Sequence, residues 1–211
     1  MDDPDQLLDE IFNSSEMKPW LELLKARKDL NNLFDIFTAD LRFCTQHLAE
    51  AEFWPRIFYF FTFASIEGLT FQMKQVALKA ATCFGVVFTP AEISFIKEEA
   101  YSLDDNGKII ASTPFIKIKN NLRFAFRIFA KAYKKSYELK VDGKGWESFQ
   151  KAIKIRNRLV HPKSLDDLII GSKECEILFE VNNWYSDAFA DLASIVEEAT
   201  TELEKTLIKP S

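Results

Sequence analysis

Glycine is scarce in this chain, with 6 among 211 residues, and proline is little commoner at 7. A sandwich or barrel of short strands needs many tight turns, so that class is disfavoured and helices are favoured. The 3 cysteines, Cys44, Cys83 and Cys175, are odd in number and widely spaced. Without a CxxC pair or a Cys/His cluster, neither a disulfide framework nor a zinc site is expected. They read as reduced thiols of a cytoplasmic protein. Also missing are a Gly-rich phosphate loop, a GxSxG elbow and an HExxH helix, so no metal and no cofactor is expected. The longest apolar run, "IFYFFTFASI" at 57–66, holds ten uncharged residues between Arg56 and Glu67. A membrane span needs roughly 20, so the run reads as a buried core helix and no membrane association is expected. The acidic start, "MDDPDQLLDE", lacks the basic-then-apolar layout of a signal peptide.

What the chain does have is apolar mass, 47% hydrophobic residues including 20 Phe. That suffices for one domain over 1–211, with 1–18 as an N-terminal extension. Charge is distributed unevenly about a net −5. Residues 1–100 carry 9 Lys/Arg against 16 Asp/Glu, residues 101–163 carry 15 against 5, and residues 164–211 carry 3 against 11. A basic middle between acidic flanks either faces a polyanion or pairs with those flanks in the fold.

Apolar periodicity places helices over 20–50 and 55–84, after a short amphipathic stretch at 5–13. Thr89 and Pro90 are set as N-cap and first residue of a helix running to about Tyr101. Asp105-Asn106-Gly107 followed by β-branched residues predicts a small hairpin near 103–113. A helix over 118–137 follows. Its Phe124, Phe126 and Phe129 among Arg123, Arg127 and Lys131 resemble an RNA-stacking surface, although helical spacing makes most of them core. Gly145 is placed as a cap for a helix over 146–160, which Pro162 ends. Ser172 is placed as the cap of a long C-terminal helix, 172–208. Glu98-Glu99 and Asp104-Asp105 read as solvated charge, and His47 as a helix-face residue. The expected fold is all-α, an antiparallel bundle of five or six helices with one hairpin insertion.

The helix over 146–160 is amphipathic with one exception. At about 100° per residue from Trp146, the apolar arc runs from about 180° at Ile155 round to Trp146, and Arg156 falls at about 280°, inside it. A guanidinium there needs a carboxylate, a cavity or a ligand. Glu67, amid Phe60, Phe63 and Phe71, has the matching problem and is one candidate partner, in a buried pair. Asn157 and His161 lie on the margin of the same arc, so all three could look into one groove. Arg158 points away and reads as a surface residue.

"RNRLVH" at 156–161 resembles the RX4–6H motif of the HEPN superfamily (higher eukaryotes and prokaryotes nucleotide-binding domains), matched at Arg156, Asn157 and His161. The resemblance implies an HEPN-like bundle and metal-independent RNA cleavage, with Arg156, His161 and Asn157 catalytic and Glu67 supporting. Lys154, Arg158 and Lys163 would line the RNA. It also implies a homodimer with two motifs facing each other, and a toxin or defence effector with a cognate antitoxin or protein partner. The alternatives are a noncatalytic HEPN module for dimerisation or nucleotide/RNA binding, and a helical dimer in which Arg156 and Glu67 only hold the core. In the first reading Arg156 stabilises phosphate charge and His161 moves protons. One motif histidine per chain leaves the acid-plus-base pair incomplete unless a second copy supplies the other.

Overall fold

The second helix is the axis of the molecule. A computed structural model describes residues 17–207; the stretch 5–13, the 1–16 part of the extension and residue 208 lie outside that range. Within it the chain forms α1 (Lys18–His47), α2 (Phe53–Phe84), α3 (Pro90–Lys97), β1 (Ala100–Leu103), β2 (Ile109–Ser112), α4 (Ile118–Ala132), α5 (Lys144–Val160) and α6 (Ser172–Leu207). A 3-10 turn, Asp166–Leu168, interrupts the last connection. The architecture is helical with one two-stranded antiparallel sheet. Helix α2 touches all five other helices, as its composition requires: it buries Phe58, Phe63, Ile66, Leu69, Met73 and Val76. Each large side chain so buried contributes roughly 1.5–3 kcal/mol of transfer free energy. No helix among the described residues is long and apolar enough to cross a membrane.

The expectation that the first half of α2 is buried all round needs correction. Phe60, Ala64, Glu67 and Phe71 are exposed, and their spacing of three and four puts them on one stripe. Of that stripe, Glu67 lines the groove described below.

Local chemistry explains most boundaries. Gly85 ends α2 in the left-handed region at φ 65° with its N–H on the Ala81 carbonyl, a conformation that glycine adopts without a Cβ penalty. Thr89 caps α3 as expected: its hydroxyl accepts from Glu92 N while the Glu92 carboxylate accepts from Thr89 N. Helix α3 stops at Lys97, short of the expected Tyr101, because Glu98 takes φ 55°. The hairpin therefore begins at Ala100, pairing Ala100 with Ser112 and Leu103 with Ile109. Asp104 closes its turn by accepting from the Asn106 and Lys108 amides, with Gly107 at φ 75°. Helix α4 ends at Ala132 instead of 137 because Lys134 turns left-handed at φ 58°. Ser172 is the first residue of α6 and not its cap; the Glu174 carboxylate reaches back to the Gly171 amide.

The left-handed turn at Glu98 has a cause in the core. Lys74 sits on α2 with 0% of its side chain exposed, 2.5 Å from the Glu98 carboxylate and 2.9 Å from the Asn121 carbonyl oxygen of α4. Asn121 also donates to Glu98 at 3.2 Å. Burial holds the Lys74 ammonium below the ordinary lysine range, while the Glu98 hydrogen bond and charge oppose that shift. Glu98 is therefore not the solvated charge its sequence context indicates.

Gly145 is likewise not a cap. Gly143 caps α5, and Gly145 lies in the first turn, where an added Cβ would meet the Trp184 side chain at 2.3–2.7 Å. Trp184 packs there against Trp146 and Phe149, with ring centroids 5.7 and 5.6 Å away.

Two stability predictions follow from this packing. Gly145→Ala forces α5 away from α6 and lowers unfolding free energy by about 1–3 kcal/mol in urea titration, with helical circular dichroism retained. Glu98→Gln strands the Lys74 ammonium and lowers it by about 3 kcal/mol, and adding Lys74→Met recovers most of that loss.

Candidate active site

Helix α5 presents Arg156 and Asn157 from its last turn and ends with His161 as C-cap. The His161 amide closes the helix on the Asn157 carbonyl at 3.1 Å, and its backbone leaves the helical region at φ −129°, ψ 60°. Pro162 forbids a further turn by disfavouring helical backbone at the residue before it. The His161 side chain is exposed and has no hydrogen bond or ion pair among the described residues. Asn157 is exposed as well.

Arg156 finds that candidate partner. Its Nη2 donates to Glu67 Oε1 at 3.1 Å, its Nη1 donates to Asn157 Oδ1 at 3.4 Å, and Cζ lies 5.7 Å from the centre of the Phe63 ring. The wheel position inside the apolar arc does not bury it. Arg156 keeps 34% of its side-chain surface and Glu67 keeps 48%, because the exposed stripe of α2 leaves a groove open above them. A guanidinium has five N–H donors. Two are used here, so the group is oriented while its remaining donors can reach a ligand. At its exposure the pair itself contributes only about 1 kcal/mol or less. Its value is geometric.

The groove has a volume of about 340 Å³; Phe63 and Glu67 of α2, Arg156 and Asn157 of α5, and Phe115 and Lys117 of the β2–α4 connection are among its walls. Arg156, Asn157 and Glu67 are thus brought together, and His161 stands at the end of the same helix without lining this groove. Lys154 and Lys163 are exposed and make no side-chain ion pair among the described residues.

Arg158 is not the free surface residue expected. It donates to the Ile169 carbonyl at 2.9 Å and pairs with Glu174 at 3.2 Å, tying the end of α5 to the start of α6. Its role is to fasten the loop after the motif, and it has neighbours in that task. Arg56 donates to the Leu168 carbonyl and the Tyr59 hydroxyl to the Glu174 carbonyl. Asp167 Oδ2 accepts from the Lys163 and Ser164 amides at 2.7 and 3.0 Å. The backbone leaving His161 is therefore anchored on three sides. His47 is far less free than His161: its ring packs 4.2 Å from Phe43 and 5.1 Å from Trp54 and bonds the Phe43 carbonyl.

Charge resolves the question of the basic middle. Of its 15 Lys/Arg, Lys131, Lys135, Lys140, Lys144, Arg156 and Arg158 pair with the acidic flanks. Among the described residues the rest make no ion pair, including Lys117, Lys119, Arg123 and Arg127 around α4. The expected pairing with the flanks therefore holds for those six residues. Of the candidate stacking aromatics, Phe126 and Phe129 are core and Phe124 is half-buried.

Sequence reasoning missed the Lys74–Glu98–Asn121 cluster and Asp167. Lys74 carries the signal that singled out Glu67, a charge within an apolar helix, and lies two turns after it. Asp167 had no comparable signal. No three His, Cys, Asp or Glu side chains converge as metal ligands among the described residues. Comparisons with family models, curated proteins and solved structures give no match to this chain.

The Lys163 amide, then the Ser164 amide and hydroxyl, holds the Asp167 carboxyl below the usual carboxylate range. A lowered folded value stabilises the loop above the unfolded pKa of about 3.9 and the contribution disappears as pH falls through the folded value. Amide hydrogen exchange at Lys163 and Ser164 is expected to be slow near neutrality and to lose that protection on acidification below about pH 3.9. In Asp167→Ala the protection is absent at every pH.

Proposed function

We propose that the chain is a metal-independent endoribonuclease of HEPN type, acting through Arg156, Asn157 and His161. One observation carries this reading: a partly exposed guanidinium, oriented by Glu67 and Asn157, opens on a groove five residues before an exposed histidine that has no partner among the described residues. The arrangement suits anion recognition followed by proton transfer.

The chemistry follows from the residue types. Imidazole titrates near neutrality and takes the proton of the ribose 2′-hydroxyl. The 2′-oxygen then attacks phosphorus while the bond from phosphorus to the 5′-oxygen breaks. Charge growing on the phosphoryl oxygens is met by the free N–H donors of Arg156, and Asn157 holds the phosphate or the imidazole. The leaving 5′-oxygen needs a proton from a second acid. A homodimer supplies it as the other copy's His161, so dimerisation completes the acid-plus-base pair. Products are a 2′,3′-cyclic phosphate and a 5′-hydroxyl. In the cytoplasm such an activity would serve a toxin or defence effector held in check by an antitoxin or another protein partner. In this reading Lys154 and Lys163, exposed and without an ion pair among the described residues, attract RNA by charge, whereas Arg158 is committed to the loop.

The second reading is a noncatalytic HEPN module for dimerisation or nucleotide/RNA binding. It is favoured by the Glu67 carboxylate, which already neutralises Arg156.

Incubation of a mixed RNA substrate in EDTA separates the two. Cleavage by wild type that leaves cyclic phosphate ends, with His161→Ala and Arg156→Ala each reduced by about 100-fold or more, is the expected result. His161→Ala cutting at the wild-type rate would sink the mechanism. Wild type that binds RNA without cutting it would favour the module.

A further inference from the structure

The segment between β2 and α4, Thr113–Lys117, crosses the molecule as an extended strap without helix or ladder bonds. Cavities of about 370, 340 and 410 Å³ adjoin one another beneath and beside it, and Phe115 and Ile116 line all three. Phe115 leaves 93% of its surface in water. With Phe95, also exposed, it forms an apolar rim to the third cavity, and contiguous exposed apolar surface of this kind marks binding sites.

The two sides of the strap differ in chemistry. On the α5 side, the groove shared with Arg156 and Asn157 also contains Lys117 and Lys119, two cations with no ion pair among the described residues. On the α3 side the cavity is aromatic and amide-lined, by Phe95, Phe115, Phe124 and Asn120. Phe95 and Phe124 meet there at 5.8 Å between centroids. Asn120 is exposed, and its side chain makes no hydrogen bond among the described residues. Asn121 beside it is locked to Lys74 and Glu98, which fixes the start of α4 and hence the position of its neighbour.

Cations spaced along a groove suit a phosphodiester backbone. An aromatic platform with a free amide beside it suits an unstacked base, through stacking and edge hydrogen bonds. A duplex would keep its bases out of reach of a platform sunk beside a strap. We infer that the strap is a binding site for single-stranded RNA, in which Phe115 stacks one nucleobase in the pocket it shares with Asn120 while Lys117 and Lys119 hold the phosphates leading to Arg156. Three cations spaced along one groove, Lys117, Lys119 and Arg156, suit the regular charge of a polyanion as the occupant. This assignment rests on the nuclease reading for the direction of the strand, but its test has a separate readout.

The experiment is fluorescence anisotropy of a 5′-labelled 12-nucleotide single-stranded RNA and of the matching duplex, in EDTA, with all proteins carrying His161→Ala. Single-strand binding is expected to exceed duplex binding. Adding Phe115→Ala should weaken it about tenfold, within the range of a lost base-stacking contact, and Phe115→Trp should restore it. Because the ring is solvent-exposed, both variants should keep the parent melting temperature. Replacing Lys117 or Lys119 by Ala should lower the slope of log affinity against log salt by ~0.7 each. Unchanged single-strand affinity in Phe115→Ala overturns the inference, as does Phe115→Ala dissolving a dimer seen by sedimentation while RNA affinity stays the same. Parallel cleavage assays with unblocked His161 keep the two readings apart. Phe115-dependent binding without cleavage by wild type keeps the strap and removes the nuclease; full-rate cleavage and binding in Phe115→Ala does the reverse. A wild type that neither binds nor cuts removes both.

Discussion

Two charges on one buried helix organise the side of the molecule where the candidate site lies. Helix α2 supplies most of the core, and Glu67 and Lys74 stand on it seven residues apart, about 10 Å along its axis. Lys74, fully buried, cannot be left without a counter-charge or hydrogen bonds, whereas Glu67 stays half exposed and acts by orienting its partner. Each is met by a residue from an element that sequence distance alone would leave unplaced. Glu67 draws Arg156 from α5 and so orients the guanidinium over the groove. Lys74 draws Glu98 into a left-handed turn and Asn121 into the first turn of α4. The end of α3, the launch of the hairpin and the landing of the strap are all set by that one ammonium.

The same arrangement separates the two jobs of the basic segment. Cations that face α6 or α3 are spent on fastening helices together, as Lys135 does with Glu198 and Glu202. Cations on the strap and the outer face of α4 have no such partner among the described residues. A net charge of −5 therefore coexists with a local group of unpaired cations, two of which, Lys117 and Lys119, line the groove. This local field, and not the total, is what a polyanion at close range would meet, because screening limits its reach to about 10 Å.

Element types were legible in the sequence because hydrophobic periodicity decides them. Boundaries were less so. The expected extension of α3 to Tyr101 fails at Glu98 through a tertiary ion pair that no local propensity encodes. The expected run of α4 to 137 fails in the same way, at a left-handed lysine. Gly145 reads as a cap by residue type, yet its role is the absence of a Cβ facing Trp184, which lies on a helix nearly forty residues later. At the site, Arg156 and Glu67 were paired from their common anomaly, charge within an apolar arc. Their exposure was not visible, because a helical wheel shows which face a residue occupies and not whether a neighbour covers that face. Arg158 was misjudged for the related reason that a polar face can still pack on a loop.

The hairpin and strap leave the core at Glu98 and return to it at Asn121, and both of these residues stand on Lys74. Everything between them is an excursion whose two feet are nailed to a single buried atom. Lengthening such a loop twofold costs only about 0.6 kcal/mol in closure entropy, and the residues on it contribute almost nothing to the core. Sequence and length of the hairpin are therefore free to drift while the scaffold stays as it is, whereas Phe115 and Lys117 of the strap wall the Arg156 groove and a change there reshapes it. In this architecture one wall of the groove hangs on an excursion outside the core, so that wall can be rewritten without rebuilding the fold.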